Sequence, residues 1–310
     1  MKKFFAVLTT FLATFLLVAC HNTSSTSDNT ELSSMPKITG FSYEGDIPKN
    51  PQKVINFAYS YTGYLLELGV NVSSYSLDLE KNSPAFGDQV ADAVQLTSDD
   101  TEAIATQKPD LIIAFSTDEN LDDLKAIAPV LVIEYGKSDY LEMMTNLGKV
   151  FDKEDEAQEW LDNWETKTAE AKEELSQYID SSTTFTVMDF YDKDIYLYGN
   201  NWGRGGELIY DSLGYAAPQK VQDDVFPAGW FGISQEVLGD YIGDYVVLNV
   251  SDDTKEAAAS LKESDVWNNI SAVKNNHVLE VDESLFYFSD PMSLDKQLDA
   301  FVSAIKQANS

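Results

Sequence analysis

From Asp139 to Ile179 the chain contains no proline and a single glycine, Gly148. Within that stretch Ala157, Trp160, Leu161, Trp164, Ala171, Leu175 and Tyr178 recur mostly at three- and four-residue steps. That spacing places them on one face of a long amphipathic helix. Trp160 and Trp164 are read as packing residues of that face, not as ligand contacts. A helix of this kind between two folded halves leaves a cleft that cannot swing wide, unlike one closed by flexible loop hinges.

Both flanks read as alternating strands and helices. From Pro48 to Tyr135 the pattern gives a strand at Val54–Phe57, a helix at Tyr64–Leu68 ending at Gly69, a helix at Thr101–Gln107, and strands at Leu111–Phe115 and Val130–Ile133. Continuous apolar strands between helices indicate a sheet covered on both faces. A second unit starts near Thr183, with strands at Phe185–Met188, Ile195–Tyr198, Tyr245–Val250 and Val278–Val281, and a helix at Glu207–Leu213 stopped by Gly214. The expected fold class is α/β: two lobes of helix-covered, largely parallel sheet joined by one long rigid helix. The expected division is 38–138 for the N-terminal lobe, 139–181 for the connecting segment and 182–310 for the C-terminal lobe. A hydrophobic content of 44% is enough for two real cores.

The N-terminus fixes the expected compartment. Lys2 and Lys3 precede an apolar run from Phe4 to Val18 that closes on Leu17-Val18-Ala19-Cys20. This is the order of a secretory signal, residues 1–19, and the run is too short for a stable membrane-spanning helix. Leu-Val-Ala-Cys resembles a bacterial lipobox, in which the cysteine carries lipid and becomes the first mature residue. Cys20 is the only cysteine, so it cannot close an intramolecular disulfide. Residues 20–37 are rich in Ser, Thr, Asn and Asp and read as a lipidated, palmitate-bearing flexible tether to the outer face of the cell membrane.

Without residues 1–19, 19 basic side chains stand against 52 acidic ones, a net charge of −33. Nucleic acid is excluded as a partner, because neutralising phosphates requires clustered Lys and Arg. Strong acidity otherwise acts as a solvated face that keeps an exported protein soluble, and it disfavours a highly anionic ligand.

One of the 21 basic residues is an arginine, Arg204, in the run Tyr196-Leu-Tyr-Gly-Asn-Asn-Trp202-Gly-Arg204-Gly-Gly206. A surface ion pair could use lysine, as the rest of the chain does. A guanidinium differs in giving paired hydrogen bonds to planar oxygen ligands and in stacking on aromatic rings. A ligand site is therefore expected here; the structural alternative is an arginine that satisfies loop carbonyls or an Asp.

Four segments carry a resemblance: Ile47-Pro-Lys-Asn-Pro-Gln-Lys-Val-Ile55, Gln107-Lys-Pro-Asp-Leu-Ile-Ile113, Asn201-Trp-Gly-Arg-Gly-Gly206 and Phe286-Tyr-Phe-Ser-Asp-Pro291. The chain resembles the substrate-binding lipoproteins of iron-siderophore ABC importers, of the helical-backbone class III type. More narrowly, it is similar to the ferric-hydroxamate (ferrichrome and ferrioxamine) receptors of Gram-positive bacteria. The resemblance implies a monomeric receptor, a ferric hydroxamate siderophore as ligand, and an ABC transporter permease as partner. It implies no cofactor and no metal held directly by the protein, the iron arriving inside its chelate. It places Trp202 and Arg204 against the siderophore and Tyr287 on the lining. Tyr196 accompanies them, with Tyr59, Tyr61, Trp230 and Phe286 as further aromatic candidates. It also assigns Glu102 and Glu236 to docking on the permease, although a carboxylate early in a helix is favoured by the helix dipole alone.

The chemistry agrees with that ligand class. A tris-hydroxamate leaves its ferric complex nearly neutral, so aromatic walls and one arginine suffice. A tris-catecholate complex carries roughly three negative charges and would be repelled and desolvated at a cost. An enzyme is not expected: the histidines are His21 and His277 alone, there is no Gly-x-Ser-x-Gly, and a hydrolase needs a base beside its nucleophile. The same scarcity argues against a zinc or manganese receptor built on histidines. Heme, which can take Tyr or Met as axial ligand, stands as the alternative binder. An adhesin reusing the fold is the third reading.

Overall fold

A computed structural model describes residues 35–191 and 193–310. Cys20, His21, the signal and most of the tether lie outside the described residues. Met35–Ser310 forms one unit that contains both lobes.

The N-terminal lobe holds β1 (Phe41–Glu44), β2 (Val54–Asn56), β3 (Ser74–Tyr75), β4 (Val94–Gln95), β5 (Leu111–Phe115) and β6 (Val130–Ile133). Its main sheet runs β1-β6-β5-β2, parallel except for β1 at the edge, and β3 pairs with β4 beside it. Successive side chains of a strand point to opposite faces, and here each face meets its own core. Ile55, Ile112 and Val130 pack with Ile104 and Leu124 from the helices Thr101–Gln107 and Leu121–Lys125. Val54, Ile113 and Leu131 pack with Leu65 of Thr62–Glu67 and with Met143, Met144 and Leu147 of Tyr140–Phe151. Burial on both faces is why these strands read as uninterrupted apolar runs.

The C-terminal lobe holds β7 (Phe185–Tyr191), β8 (Asp194–Tyr198), β9 (Trp230–Ile233), β10 (Tyr245–Val250) and β11 (Val278–Asp282), in the order β11-β10-β7-β8-β9. β11, β10 and β7 are parallel, whereas β8 and β9 extend the sheet antiparallel. That antiparallel edge, formed by a tight reversal from β7 to β8 and a long connection, residues 199–229, from β8 to β9, carries Tyr196, Tyr198 and Trp230 into one neighbourhood. The helix expected at Glu207–Leu213 spans Glu207–Ser212 and is wound as a π-helix, with Leu213 N–H bonded to Leu208 O at 2.8 Å. Gly214, at φ 77°, ends it.

The connecting segment is two helices, Tyr140–Phe151 and the 22-residue Glu154–Leu175. The expected single helix from Asp139 divides at Asp152, which adopts φ 56°. Gly148 permits the reversal: a Cβ there would come within 2.8 Å of the Ala157 Cβ and 3.1 Å of the Lys153 carbonyl. The longer helix, about 33 Å at 1.5 Å per residue, carries the predicted face except for Tyr178, which lies beyond its end and is exposed. Trp160 and Trp164 lie on it buried and stacked, 5.6 Å between ring centres. The C-terminal helix Pro291–Ala308, capped by Asp290, packs beside it.

Candidate functional site

The Trp202–Gly206 loop leaves β8 through Gly199 and folds back on the Phe286–Phe288 segment. Gly203, Arg204 and Gly205 are consecutively left-handed, at φ 72°, 58° and 90°. Contact forces this path. A Cβ on Gly203 would sit 2.1 Å from the Tyr287 carbonyl, and one on Gly206 1.9 Å from the Gly199 carbonyl. Arg204, as a non-glycine in that region, costs about 1–2 kcal/mol, so the surroundings must hold it there. They do: its carbonyl accepts from Asn249 Nδ2 at 3.2 Å, and the Gly203 N–H is shared by both carboxylate oxygens of buried Glu207 at 3.0 Å each. Burial pushes the Glu207 carboxyl above its ordinary range, against the pull of the Gly203 N–H.

The π-helical turn ties this loop to the connecting helices. Ser212 Oγ donates to the Glu207 carbonyl at 3.1 Å and lies 2.7 Å from the Tyr140 hydroxyl, which accepts from Trp164 Nε1 at 3.4 Å. Tyr64 from the N-terminal lobe donates to the carbonyls of Tyr140 and Ser289. The loop, the Ser289 segment and the lobe-joining helices thus share one polar network.

Arg204 is held on three sides. Its Nε donates to Asp189 Oδ2 at 3.0 Å, with side chains 13% and 3% exposed. The guanidinium carbon lies 3.8 Å from the Tyr287 ring centre and 4.8 Å from that of Tyr198, both within cation–π range. Burial alone would lower the arginine's pKa, but Tyr198, Asp189 and Tyr287 outweigh it, so the charge is firmly retained. Burial raises the Asp189 carboxyl, and Arg204 draws it back down. Nη1 makes a longer contact with the Trp202 carbonyl, 3.5 Å, so Nη2 and the second N–H of Nη1 are what remain for an oxygen ligand.

Arg204 borders a cleft of about 300 Å³, at the small end of ligand pockets. Tyr59, Ser60, Phe115, Thr117 and Tyr135 line it from one lobe, and Trp202, Gly203, Arg204, Tyr287, Phe288 and Ser289 from the other. Tyr135 meets Trp202 across it at 5.3 Å, and the Tyr135 hydroxyl donates to the Asn201 carbonyl at 3.3 Å. Trp202 is 37% exposed. Among the described residues no group of three or more His, Cys, Asp and Glu could hold a metal ion.

The candidates read from the sequence divide. Trp202, Arg204, Tyr287 and Tyr59 line the cleft. Trp230, 42% exposed, stands at the rim, 6.4 Å from Trp202 and 5.7 Å from Tyr196. Tyr196 lies one ring farther out, over Gly232. Two expectations are corrected. Phe286 is 1% exposed and packs beneath Gly205, and Tyr61, 5% exposed, packs against Tyr64, Phe115 and Tyr135. Both are supports of the cleft, because their apolar rings gain more from the core than from its surface. Residues the sequence reading missed are Phe115, Tyr135 and Asp189. Phe115 ends β5 and Tyr135 follows β6, and the carboxyl ends of parallel strands are where such sheets bind ligands. Asp189 had no signal, lying inside a strand among 52 acidic residues. Glu102 and Glu236 are exposed in the first turns of short helices, one on each lobe. A hydrogen bond with Ser234 holds Glu236 below the ordinary range.

Comparison with known proteins follows the same geometry. Residues 54–285 match the periplasmic binding protein family. The iron(3+)-hydroxamate-binding protein FhuD of Bacillus subtilis (strain 168) is 32% identical over 314 residues, covering 98% of each chain. The solved FhuD protein of S. pseudintermedius superposes with a TM-score of 0.79 at 33% identity, over 84% of this chain and 93% of that one. FhuD2 of Staphylococcus aureus with bound ferrioxamine B gives 0.77 at 32% identity, over 84% of this chain and 100% of that one.

Proposed function

The chain belongs to the periplasmic binding protein family, and from that premise we propose that it is a membrane-anchored receptor that takes a ferric hydroxamate siderophore into the Arg204 cleft and delivers it to an ABC importer permease. The observation that carries this reading is the posture of Arg204. It is clamped by Asp189 at Nε, lies over the rings of Tyr198 and Tyr287, touches the Trp202 carbonyl with Nη1, and lines an aromatic cleft between lobes. An oxygen-rich, nearly neutral chelate needs that combination. The guanidinium donates to hydroxamate oxygens around the iron, while Trp202, Tyr59, Tyr135 and Tyr287 exclude water from the remaining surface. Pre-organisation limits the ordering cost of binding.

The anchor is assigned to lipid on Cys20 after removal of residues 1–19, with the folded body on the outer face of the membrane and acting as a monomer. Glu102 and Glu236 are assigned to permease docking, one per lobe, each exposed at the start of a short helix. The lobe boundaries are assigned at 38–138 and 182–310, with 139–181 between them, a division that the two sheets and the helix pair support.

The test is a fluorescence titration of the purified chain with a ferric tris-hydroxamate, with heme and a ferric tris-catecholate as comparators. Iron chelates absorb in the near ultraviolet and should quench Trp202. Saturable quenching by the hydroxamate, weakened in Arg204→Lys, is the expected result. Saturation by heme alone would replace the ligand, and no saturation by any of the three would overturn the receptor reading.

A further inference from the structure

The cation of the cleft carries its own counter-charge. Among the described residues that line the cleft, Arg204 is the sole cationic side chain, and Asp189 takes its Nε at 3.0 Å from a position 3% exposed. Arg204 takes one carboxylate oxygen of Asp189; Oδ1 is buried with no partner at hydrogen-bond geometry, although the Tyr198 hydroxyl is near enough to lower the Asp189 carboxyl. On the adjacent strand, one step beyond the Leu248–Met188 pairing, Asn249 likewise has a buried and unpartnered Oδ1.

A residue needed only to accept from Nε could be an amide. Asparagine at position 189 would offer Nε the same acceptor, and it would bring an N–H into a buried region short of donors. It would bury no carboxylate, but it would leave the guanidinium, 13% exposed, without a counter-charge. What the carboxylate supplies, and an amide cannot, is cancellation of the guanidinium field at the cleft. Tyr198 and Tyr287 add to this by turning the negative faces of their rings toward Arg204. Half-buried Glu283 lies within electrostatic range of the same pair: its carboxyl is raised by burial, lowered by a hydrogen bond with Ser251, and then raised by Asp189 and lowered by Arg204.

Taking the cleft as a ferric-chelate site, on which this step rests, we infer that Asp189 is a specificity determinant: by neutralising Arg204 it sets the site to accept uncharged chelates and to refuse anionic ones. Donation through the Nη edge survives the pairing, because hydrogen bonding to hydroxamate oxygens requires the N–H groups and not a net positive field.

The experiment compares wild type with Asp189→Asn, titrating each full chain with uncharged ferrichrome and with a trianionic ferric tris-catecholate. Removing one charge a few ångströms from a trianion is expected to improve catecholate affinity relative to ferrichrome by about tenfold or more. Ferrichrome affinity itself is expected to fall, because Asp189 holds Arg204 in place, so the ratio of the two affinities is the readout. The relative gain should vanish in Asp189→Asn combined with Arg204→Gln, where no uncompensated cation remains. If Asp189 is only a tether, both ligands weaken together, their ratio holds, and the inference fails while the receptor reading stands. Wild type preferring the trianion would have the same consequence. Glu283→Gln leaves the ion pair intact and gives a second test should Asp189→Asn fold poorly; a relative gain in the same direction, of about threefold, is expected, and no gain counts against the inference. If wild type binds neither chelate, the receptor reading falls and this inference with it.

Discussion

Replacing Arg204 with lysine isolates what the guanidinium contributes. Both residues are L-amino acids, so the strain of φ 58° is common to the two and cancels. A lysine can still reach toward Asp189, so that carboxylate, 3% exposed, is not stranded without a cation. Alanine would strand it, at about 3–5 kcal/mol, which mixes a folding defect into any affinity measurement. Lysine loses two things. One is stacking on Tyr287 at 3.8 Å and Tyr198 at 4.8 Å, together about 1–2 kcal/mol. The other is simultaneous donation: Arg204 holds Asp189 with Nε while Nη2 and the second N–H of Nη1 remain for a ligand in the cleft it lines, whereas an ammonium that turns to Asp189 turns away from the ligand. A charged hydrogen bond to ligand is worth about 1.5–3 kcal/mol. The expected outcome is a midpoint of unfolding lowered by a few degrees and a Kd for a ferric tris-hydroxamate raised about 10- to 100-fold. Thermal unfolding and quenching of Trp202 fluorescence measure the two on one preparation. A Kd within about twofold of wild type would refute the reasoning, since it would mean that planarity and the divided donor set contribute nothing.

Three further outcomes follow from other parts of the molecule. Gly203→Ala should cost at least about 2 kcal/mol of stability and abolish tight ligand binding, because its Cβ would meet the Tyr287 carbonyl at 2.1 Å from a residue at φ 72°; Gly239→Ala, with nothing within 4 Å, should stay within about 0.5 kcal/mol in the same unfolding assay. Burial pushes the fully enclosed carboxyl of Asp290 up to about 6, against hydrogen bonds from Ser293 and Met292. A folded pKa above the unfolded one means that this group's stabilising contribution is complete below pH ~4 and is lost as pH rises through about 6. Asp290→Asn, which keeps the helix cap, should therefore gain on wild type by up to about 3 kcal/mol across that window in urea unfolding, and parallel pH curves would contradict it. Glu102→Ala with Glu236→Ala should leave the Kd of the purified chain unchanged and abolish uptake of the ferric siderophore by cells; weakened binding by the purified double variant would remove the docking assignment.

The sequence by itself determined the elements whose reason for existing is local. Leu111–Phe115, Val130–Ile133 and Tyr245–Val250 are strands at the bounds their apolar runs predict, because strands buried on both faces favour apolar residues throughout, with buried Asn249 the exception in the last of them. Thr101–Gln107 is a helix at its predicted bounds, and the Trp160–Trp164 face lies buried as its period requires. The sequence singled out Arg204 as the one arginine in a lysine-using chain; the structure pairs it with Asp189 and the Trp202 carbonyl, as the structural alternative had it, and also puts it on the wall of the cleft.

What only the tertiary structure decided depends on partners distant along the chain. The break at Asp152 exists because Gly148 lets two helix turns touch, and periodicity runs through it unmarked. Phe286 and Tyr61 could not be told from cleft aromatics in sequence, since the same ring serves a core or a wall and only the packing around it chooses. Phe115 and Tyr135 became wall residues because strand ends from one lobe meet the Trp202 loop of the other. Asp189 became the counter-charge of the cleft because β7 lies under that loop. Charge pairing of that kind is a matter of a few ångströms in space across 15 residues of chain, and no local pattern encodes it.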